Sequence, residues 1–313
     1  MDAMPRSVQV PAGLEERRAL GQDWADWLDR LPRLAADLLD EWALTPDGAA
    51  MHGFCSLVLP VTTQAGEQAA LKVTFDGDDE SEHEGIALQR WGGEGAVRLL
   101  RADPHRRALL LERLHAQDLG DVWDVEACEV VAGLYARLHV PAPPQLRPLS
   151  SYVERWADDL RSMGHDHPLP RRLVDQALAL APDLLGERDH PRIVHGDLHY
   201  ANVLAADREP WLAIDPKPVA GDPHYEPAPL LWNRWEELSE GGQSVRDGVR
   251  RRFHTLVDVA GLDEHRARDW VVVRAVVNAG WTVQDAARLG RRVGPDEQAW
   301  ITRCITVAKA VQD

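Results

Sequence analysis

The stretch His195-Gly-Asp-Leu-His-Tyr-Ala-Asn202 places a carboxylate, Asp197, five residues before an amide, Asn202, within one polar turn. Thirteen residues further on, a second carboxylate, Asp215, closes the short apolar run Trp211-Leu-Ala-Ile. Carboxylate and amide oxygens are hard donors, the kind magnesium takes. A carboxylate beside such a pair can orient a hydroxyl and accept its proton as a new bond forms. On that division Asn202 and Asp215 are metal ligands and Asp197 is the catalytic base. Taken singly, each is an ordinary turn residue, and His195 reads as a structural histidine. Two loops at neighbouring strand ends would bring all three together, and it is the combination that points to chemistry.

The elements that must position these residues change character along the chain. Residues 14 to 42 carry Trp24, Trp27, Leu28, Leu31, Leu34, Leu38 and Trp42 at spacings of three and four, which predicts a helix. Phe54 to Val61 and Ala69 to Phe75 read as strands joined by a hairpin turn at Gln64-Ala-Gly-Glu67, and Glu82 to Trp91 as a helix. Ala96 to Leu100 and Ala108 to Leu114 add two strands. Beyond Leu114 the period becomes helical. Helices are expected around Val131–Leu138, at 150 to 163 and 171 to 185, and three or four more follow Leu230. Ile193-Val194 and Trp211–Ile214 are strand-like pieces around the polar turn. The fold class is α+β in two parts, 1–112 around an antiparallel sheet and 113–313 mainly helical.

The Asp-four residues-Asn pattern followed by an Asp at a strand end resembles the protein-kinase-like superfamily, and the His-Gly-Asp turn resembles its aminoglycoside phosphotransferase branch. Ile214-Asp-Pro-Lys-Pro-Val-Ala-Gly-Asp-Pro-His-Tyr-Glu226, Leu230-Leu-Trp-Asn-Arg234, Gly95-Ala-Val-Arg-Leu-Leu100 and Ala108-Leu-Leu-Leu-Glu-Arg113 are similar to the aminoglycoside/hydroxyurea antibiotic resistance kinases, from about Trp42 to Trp281. The resemblance implies a bilobal protein-kinase-like fold, ATP and Mg²⁺ as cofactors, and phosphorylation of a hydroxyl on streptomycin or a related small molecule. It also implies that Lys72, in Ala-Ala-Leu-Lys-Val-Thr, pairs with nucleotide phosphates. Only three of the 35 basic residues are lysine, so a lysine kept in an apolar strand stands out. Its partner is expected to be Glu84, with Glu82 as the alternative, because only one of the two can face inward. Gly53 and Ser56 would lie on the nucleotide loop, although no GxGxxG occurs there. Glu112 and Leu114 would lie on the hinge, where backbone groups read adenine. Asp222 and Glu226 would line the acceptor pocket. Arg234 reads as an anchor of its own segment. Asp-Pro-Lys-Pro in place of Asp-Phe-Gly, with no activation-loop signature after it, argues against a protein substrate.

The formal net charge of −16 repels phosphate backbones and anionic lipid, which excludes nucleic acid and membranes as partners, and it suits a small cationic substrate. Cys55, Cys128 and Cys304 lie far apart with no CxxC, against a disulfide scaffold or zinc site. His165-Asp-His167 has no third ligand nearby and reads as a solvated loop. The polar start, Met1 to Arg6, shows no signal peptide, and no aliphatic run is long enough for a bilayer. A cytoplasmic monomer is the expectation. The alternative functions are a kinase for an amino sugar, hydroxyurea or another small hydroxyl metabolite, and a non-catalytic pseudokinase. The second is disfavoured by the presence of Lys72, Asp197, Asn202 and Asp215 together.

Overall fold

Side chains alternate between the two faces of a strand, and this chain uses one face for its first core. Leu57, Leu59, Val61, Leu71 and Val73 are buried against Trp27, Leu28, Leu31 and Leu38 of the long N-terminal helix. Lys72, between Leu71 and Val73, is thereby turned to the other face. The computed structural model describes residues 8–164, 167–186 and 190–312. Met1 to Arg6, His165 and Asp166 lie outside the described residues. The chain divides into two compact units, 1–115 with 206–208, and 116–205 with 209–313.

The first unit runs α1 (Ala12–Glu15), α2 (Gln22–Glu41), β1 (Thr45–Pro46), β2 (Met51–His52), β3 (Ser56–Thr62), β4 (Gln68–Thr74), α3 (Glu84–Trp91), β5 (Leu99–Asp103) and β6 (Ala108–Glu112). The six strands form one antiparallel sheet in the order β1-β3-β4-β6-β5, with β2 also paired to β3. The single helix expected over 14 to 42 is broken at Gly21, whose φ of 156° and ψ of 174° are open to glycine alone. The strand expected at Ala96–Leu100 lies three residues later. Ala96 and Val97 are buried outside it, while β5 itself is largely exposed at the sheet edge.

The second unit contains α4 (Asp124–Leu138), α5 (Leu149–Ser162), α6 (Arg171–Leu184), β7 (Arg192–Val194), β8 (Val203–Ala205), β9 (Trp211–Ala213), β10 (Val219–Gly221), α7 (Ala228–Trp232), α8 (Val245–Ala260), α9 (Glu264–Arg288) and α10 (Pro295–Ala310). Its core joins Trp156, Leu160, Leu173 and Ala177 to Trp270, Val273 and Val277 of α9 and Ile301 of α10. Two small antiparallel ladders, β7 with β10 and β8 with β9, frame the polar turn. The expected α+β arrangement, an antiparallel sheet followed by a mainly helical part, is what the chain forms. Cys55, Cys128 and Cys304 are buried thiols, none of them in a disulfide. No helix among the described residues is long and apolar enough to cross a membrane.

Candidate active site

In the first unit, Lys72 Nζ donates to both carboxylate oxygens of Glu84 at 2.7 Å. The two side chains are 6% and 2% exposed. Glu84 opens α3, where a negative charge is favoured by the helix dipole. The exposed Glu82 points the expectation to Glu84. Burial makes the pair obligatory, since either charge alone would be stranded in a poorly solvated place.

Gly53 and Ser56 meet in the tight turn joining β2 to β3. The Gly53 N–H donates to the Ser56 carbonyl at 3.0 Å, and a Cβ on Gly53 would lie 2.9 Å from Ser56 Oγ. Such a turn lets a ligand approach the backbone closely. The Glu112 side chain is held within the first unit. Its carboxylate accepts the Arg98 N–H at 2.6 Å and the Arg208 guanidinium at 2.6–3.1 Å. Arg208 also donates to the Gly93 and Ala96 carbonyls at 2.7 Å each. The Glu112 side chain is therefore an anchor, its backbone N–H donates to the Arg98 carbonyl at 3.0 Å, and Leu114 is partly buried. Nothing in Ala-Asp-Arg208-Glu-Pro, a polar turn by composition, signals this arginine.

In the second unit the polar turn connects β7 to β8, and Asp215 follows β9. His195 is fully buried, and burial lowers its ring from the ordinary 6.5 to about 4, so the ring is neutral. Nε2 lies 3.0 Å from the Ile214 carbonyl, and Nδ1 lies 3.3 Å from the Asp197 backbone N–H. The second contact needs an accepting Nδ1, which assigns the proton to Nε2. The histidine thus ties the Asp197 turn to the residue before Asp215. Gly196 has φ 82°, and a Cβ there would lie 2.3 Å from the Lys217 carbonyl oxygen, so only glycine fits.

Asn202 Nδ2 donates to the Asp197 carbonyl at 2.8 Å, with Asp197 Oδ2 3.5 Å away. This fixes the amide and leaves Oδ1 as the acceptor it offers to a ligand. The Asp197 side chain remains 36% exposed. Enclosure by protein still pushes its carboxyl up from the ordinary range, against the pull of His199 and Arg274. His199 Nε2 is 3.8 Å from Asp197 Oδ2. Asp215 has φ 53°, a left-handed conformation unusual for a residue other than glycine, and its carboxylate lies 3.5 Å from Lys217 Nζ. Strain of this kind concentrates at functional positions.

Asp222 and Glu226, expected at the acceptor pocket, both have their carboxylates engaged by donors of the protein itself. Asp222 is 4% exposed and accepts from the His224 ring at 2.6 Å, from Trp270 Nε1 at 2.8 Å and from Arg266. Burial alone would raise its carboxyl, but these donors hold it far below the usual range. Glu226 is fully buried and accepts the backbone N–H groups of His195 at 2.6 Å and Gly196 at 3.2 Å. Burial would raise it too, yet the His139 ring and the His195 N–H hold it low. Both carboxylates are occupied in fixing the framework of the turn.

Four further residues, Arg274, Tyr200, Asp124 and Arg252, hold the turn and were not singled out from the sequence. Arg274 is 7% exposed and donates to the Gly196 and Tyr225 carbonyls at 2.7 and 3.0 Å. An arginine inside the apolar run Trp270-Val-Val-Val-Arg-Ala-Val-Val277 was the available signal. Tyr200 donates to Asp124 Oδ1 at 2.7 Å, and the buried Arg252 pairs with the same carboxylate at 2.8 Å. Arg234, as expected, anchors its segment, donating to the Leu119 and Val122 carbonyls at 2.9 and 2.8 Å.

The chain is 43% identical over 285 residues to a streptomycin 6-kinase of Streptomyces glaucescens, covering 90% of this chain and 92% of that protein. It is 41% identical over 292 residues to a hydroxyurea phosphotransferase of Kitasatospora aureofaciens, covering 89% and 81%. Among solved structures, a spectinomycin phosphotransferase crystallised with ADP and spectinomycin shares the fold, with a TM-score of 0.57 at 14% identity over 88% of this chain and 97% of that one. The model of the aminoglycoside/hydroxyurea antibiotic resistance kinases matches residues 41–286, and the chain belongs to that family.

Proposed function

We propose that the protein transfers the γ-phosphoryl group of ATP to a hydroxyl of streptomycin or a closely related aminoglycoside. The acceptor oxygen forms the new bond to phosphorus, the bond from that phosphorus to the β–γ bridging oxygen breaks, and ADP leaves. Asp197 orients the acceptor hydroxyl and takes its proton. Lys72, held by Glu84, donates to the nucleotide phosphates. The carbonyl oxygen of Asn202 and the carboxylate of Asp215 would hold Mg²⁺, which takes few protein oxygens and completes its shell with water and phosphate. Bound there, the ion would offset phosphate charge.

One observation supports the reaction type above the others: the Asn202 amide is pinned to the Asp197 carbonyl at 2.8 Å, which sets a proton acceptor beside a hard-oxygen donor in a single turn. The substrate rests on the likeness to streptomycin 6-kinase and on the net charge of −16, which favours a guanidinium-bearing acceptor. We propose further that one chain suffices and acts in the cytoplasm, where ATP is held, without nucleic acid or membrane.

The second reading, phosphorylation of hydroxyurea, is favoured by the 41% identical relative of that name. The protein incubated with MgATP and each compound separates the two. Streptomycin is expected to gain one phosphoryl group by mass spectrometry, with its affinity falling as salt rises, because screening at about 0.15 M acts over about 8 Å. Phosphorylation of hydroxyurea with streptomycin left intact overturns the first reading and establishes the second.

A further inference from the structure

A groove of about 600 Å³ opens between α3 and β5 in the first unit. Its lining includes Glu84, Leu88, Arg98, Leu99, Arg107 and Leu109, and contains none of Lys72, Gly53, Ser56, Glu112 or Leu114. Of the residues assigned to the nucleotide it includes Glu84 alone, the partner of Lys72. The volume is within the range of about 300–1,000 Å³ usual for small-molecule sites.

Arg107 is unusual in two independent ways. Its φ of 50° is left-handed, a conformation that costs free energy in a residue with a Cβ. Its Nη1 is buried with no hydrogen-bond partner among the described residues, while Nη2 reaches only the Asp76 carbonyl at 3.5 Å. A buried donor left unmet is costly, and most such donors have partners. Arg98, on the same groove, makes no ion pair among the described residues. The nearby carboxylates are engaged, Glu84 by Lys72 and Asp103 by Arg106, and Glu82 stands exposed at the rim. Arg101, also on the groove, pairs with Glu41 at 3.7 Å, so Arg98 and Arg107 are the lining cations with no carboxylate partner among the described residues.

We propose that this groove is a binding site for a small apolar carboxylate, an aliphatic or aromatic acid whose anion sits on Arg107. The planar guanidinium fork matches a carboxylate, and Leu88, Leu99 and Leu109 give the remainder of the molecule an apolar wall. Because Glu84 both lines the groove and holds Lys72, occupancy is coupled to nucleotide affinity, a consequence that rests on the function proposed above.

Fluorine NMR titration of para-trifluoromethylbenzoate into the full chain tests the site without any nucleotide. Saturable binding is expected. The neutral para-trifluoromethylbenzamide should bind about tenfold or more weakly, because it lacks the charge-assisted pair. Inorganic phosphate, added as a competitor, should displace the acid poorly. Arg107→Gln and Leu99→Trp, one removing the charge and the other filling the groove, should each weaken the acid by about tenfold or more. Their melting curves establish that both variants remain folded. No saturable binding at about 10 mM acid, equal binding of the amide, stronger binding of phosphate, or wild-type affinity in both variants overturns the site. A saturating concentration of the acid should shift MgATP affinity by about fivefold or more. An unchanged affinity overturns the coupling alone. A chain that binds no ATP at all counts against the proposed kinase and leaves the titration to stand.

Discussion

The buried carboxylate of Glu226 accepts the backbone N–H of His195 at 2.6 Å. With its second oxygen on the Gly196 N–H, it fixes the start of the turn that carries Asp197. Glu226→Gln would turn an amide NH₂ toward one of these donors. The expected cost is about 2–3 kcal/mol of stability, read by urea unfolding. Turnover should fall by about tenfold or more with little change in KM for ATP, because the residue acts through the loop. Wild-type kcat in a folded Glu226→Gln variant contradicts this positioning role.

Lys72 and Glu84 should behave as a unit. Lys72→Met leaves Glu84 buried without its counter-charge, at a cost of about 3–5 kcal/mol. Adding Glu84→Leu should restore most of the stability and none of the activity. A double variant less stable than the sum of the single effects contradicts a paired burial, and a double-mutant cycle on urea midpoints measures it.

Asp215 predicts a trade between stability and activity. Its left-handed backbone suits glycine, so Asp215→Gly should be as stable as the wild type or more stable by up to about 1 kcal/mol. Turnover and Mg²⁺-dependent nucleotide binding should be lost. A strongly destabilised Asp215→Gly would show that the carboxylate serves the fold, contrary to the strain argument.

Acid should weaken the fold in two stages. His195 is lowered from 6.5 to about 4, so the folded protein resists its protonation, and stability declines from about pH 6.5 toward 4. Asp124, Asp222 and Glu226 are held below their ordinary 3.8 to 4.5. Their stabilisation is complete above about pH 4.5 and is lost as pH falls toward the folded values. Asp197, raised in the folded state, opposes this as a single group. Urea midpoints measured from pH 7 to 3 should fall, more steeply below about 4.5, and less steeply in Asp222→Asn. A midpoint that rises on acidification contradicts the assignment.

What could be read in advance followed from periodicity and residue type. The scarcity of lysine singled out Lys72 in its apolar strand, and since only one of Glu82 and Glu84 can face inward, the structure decides for Glu84. The errors share a physical origin. β5 was misplaced because hydrophobicity marks burial, and Ala96 and Val97 are buried in a connection while the edge strand beside them is largely exposed. Asp222 and Glu226 were expected to face a substrate because a sequence does not display the partners that engage them, the His224, Trp270 and Arg266 side chains for Asp222 and the His195 and Gly196 N–H groups for Glu226. Gly21 was missed because 14 to 42 was read as one element, although the three-and-four spacing begins at Trp24 and Arg17 and Arg18 stand where it would continue from Leu14.

The central claim is tested most directly by single-turnover transfer from γ-labelled ATP to streptomycin, in the wild type and in Asp197→Ala. The account predicts label on streptomycin with the wild type. It predicts a rate lower by about 10²–10⁴ in Asp197→Ala, with ATP affinity nearly unchanged, because the carboxylate serves the acceptor hydroxyl. Label released only as inorganic phosphate, or a folded Asp197→Ala variant that transfers at the wild-type rate, would contradict it.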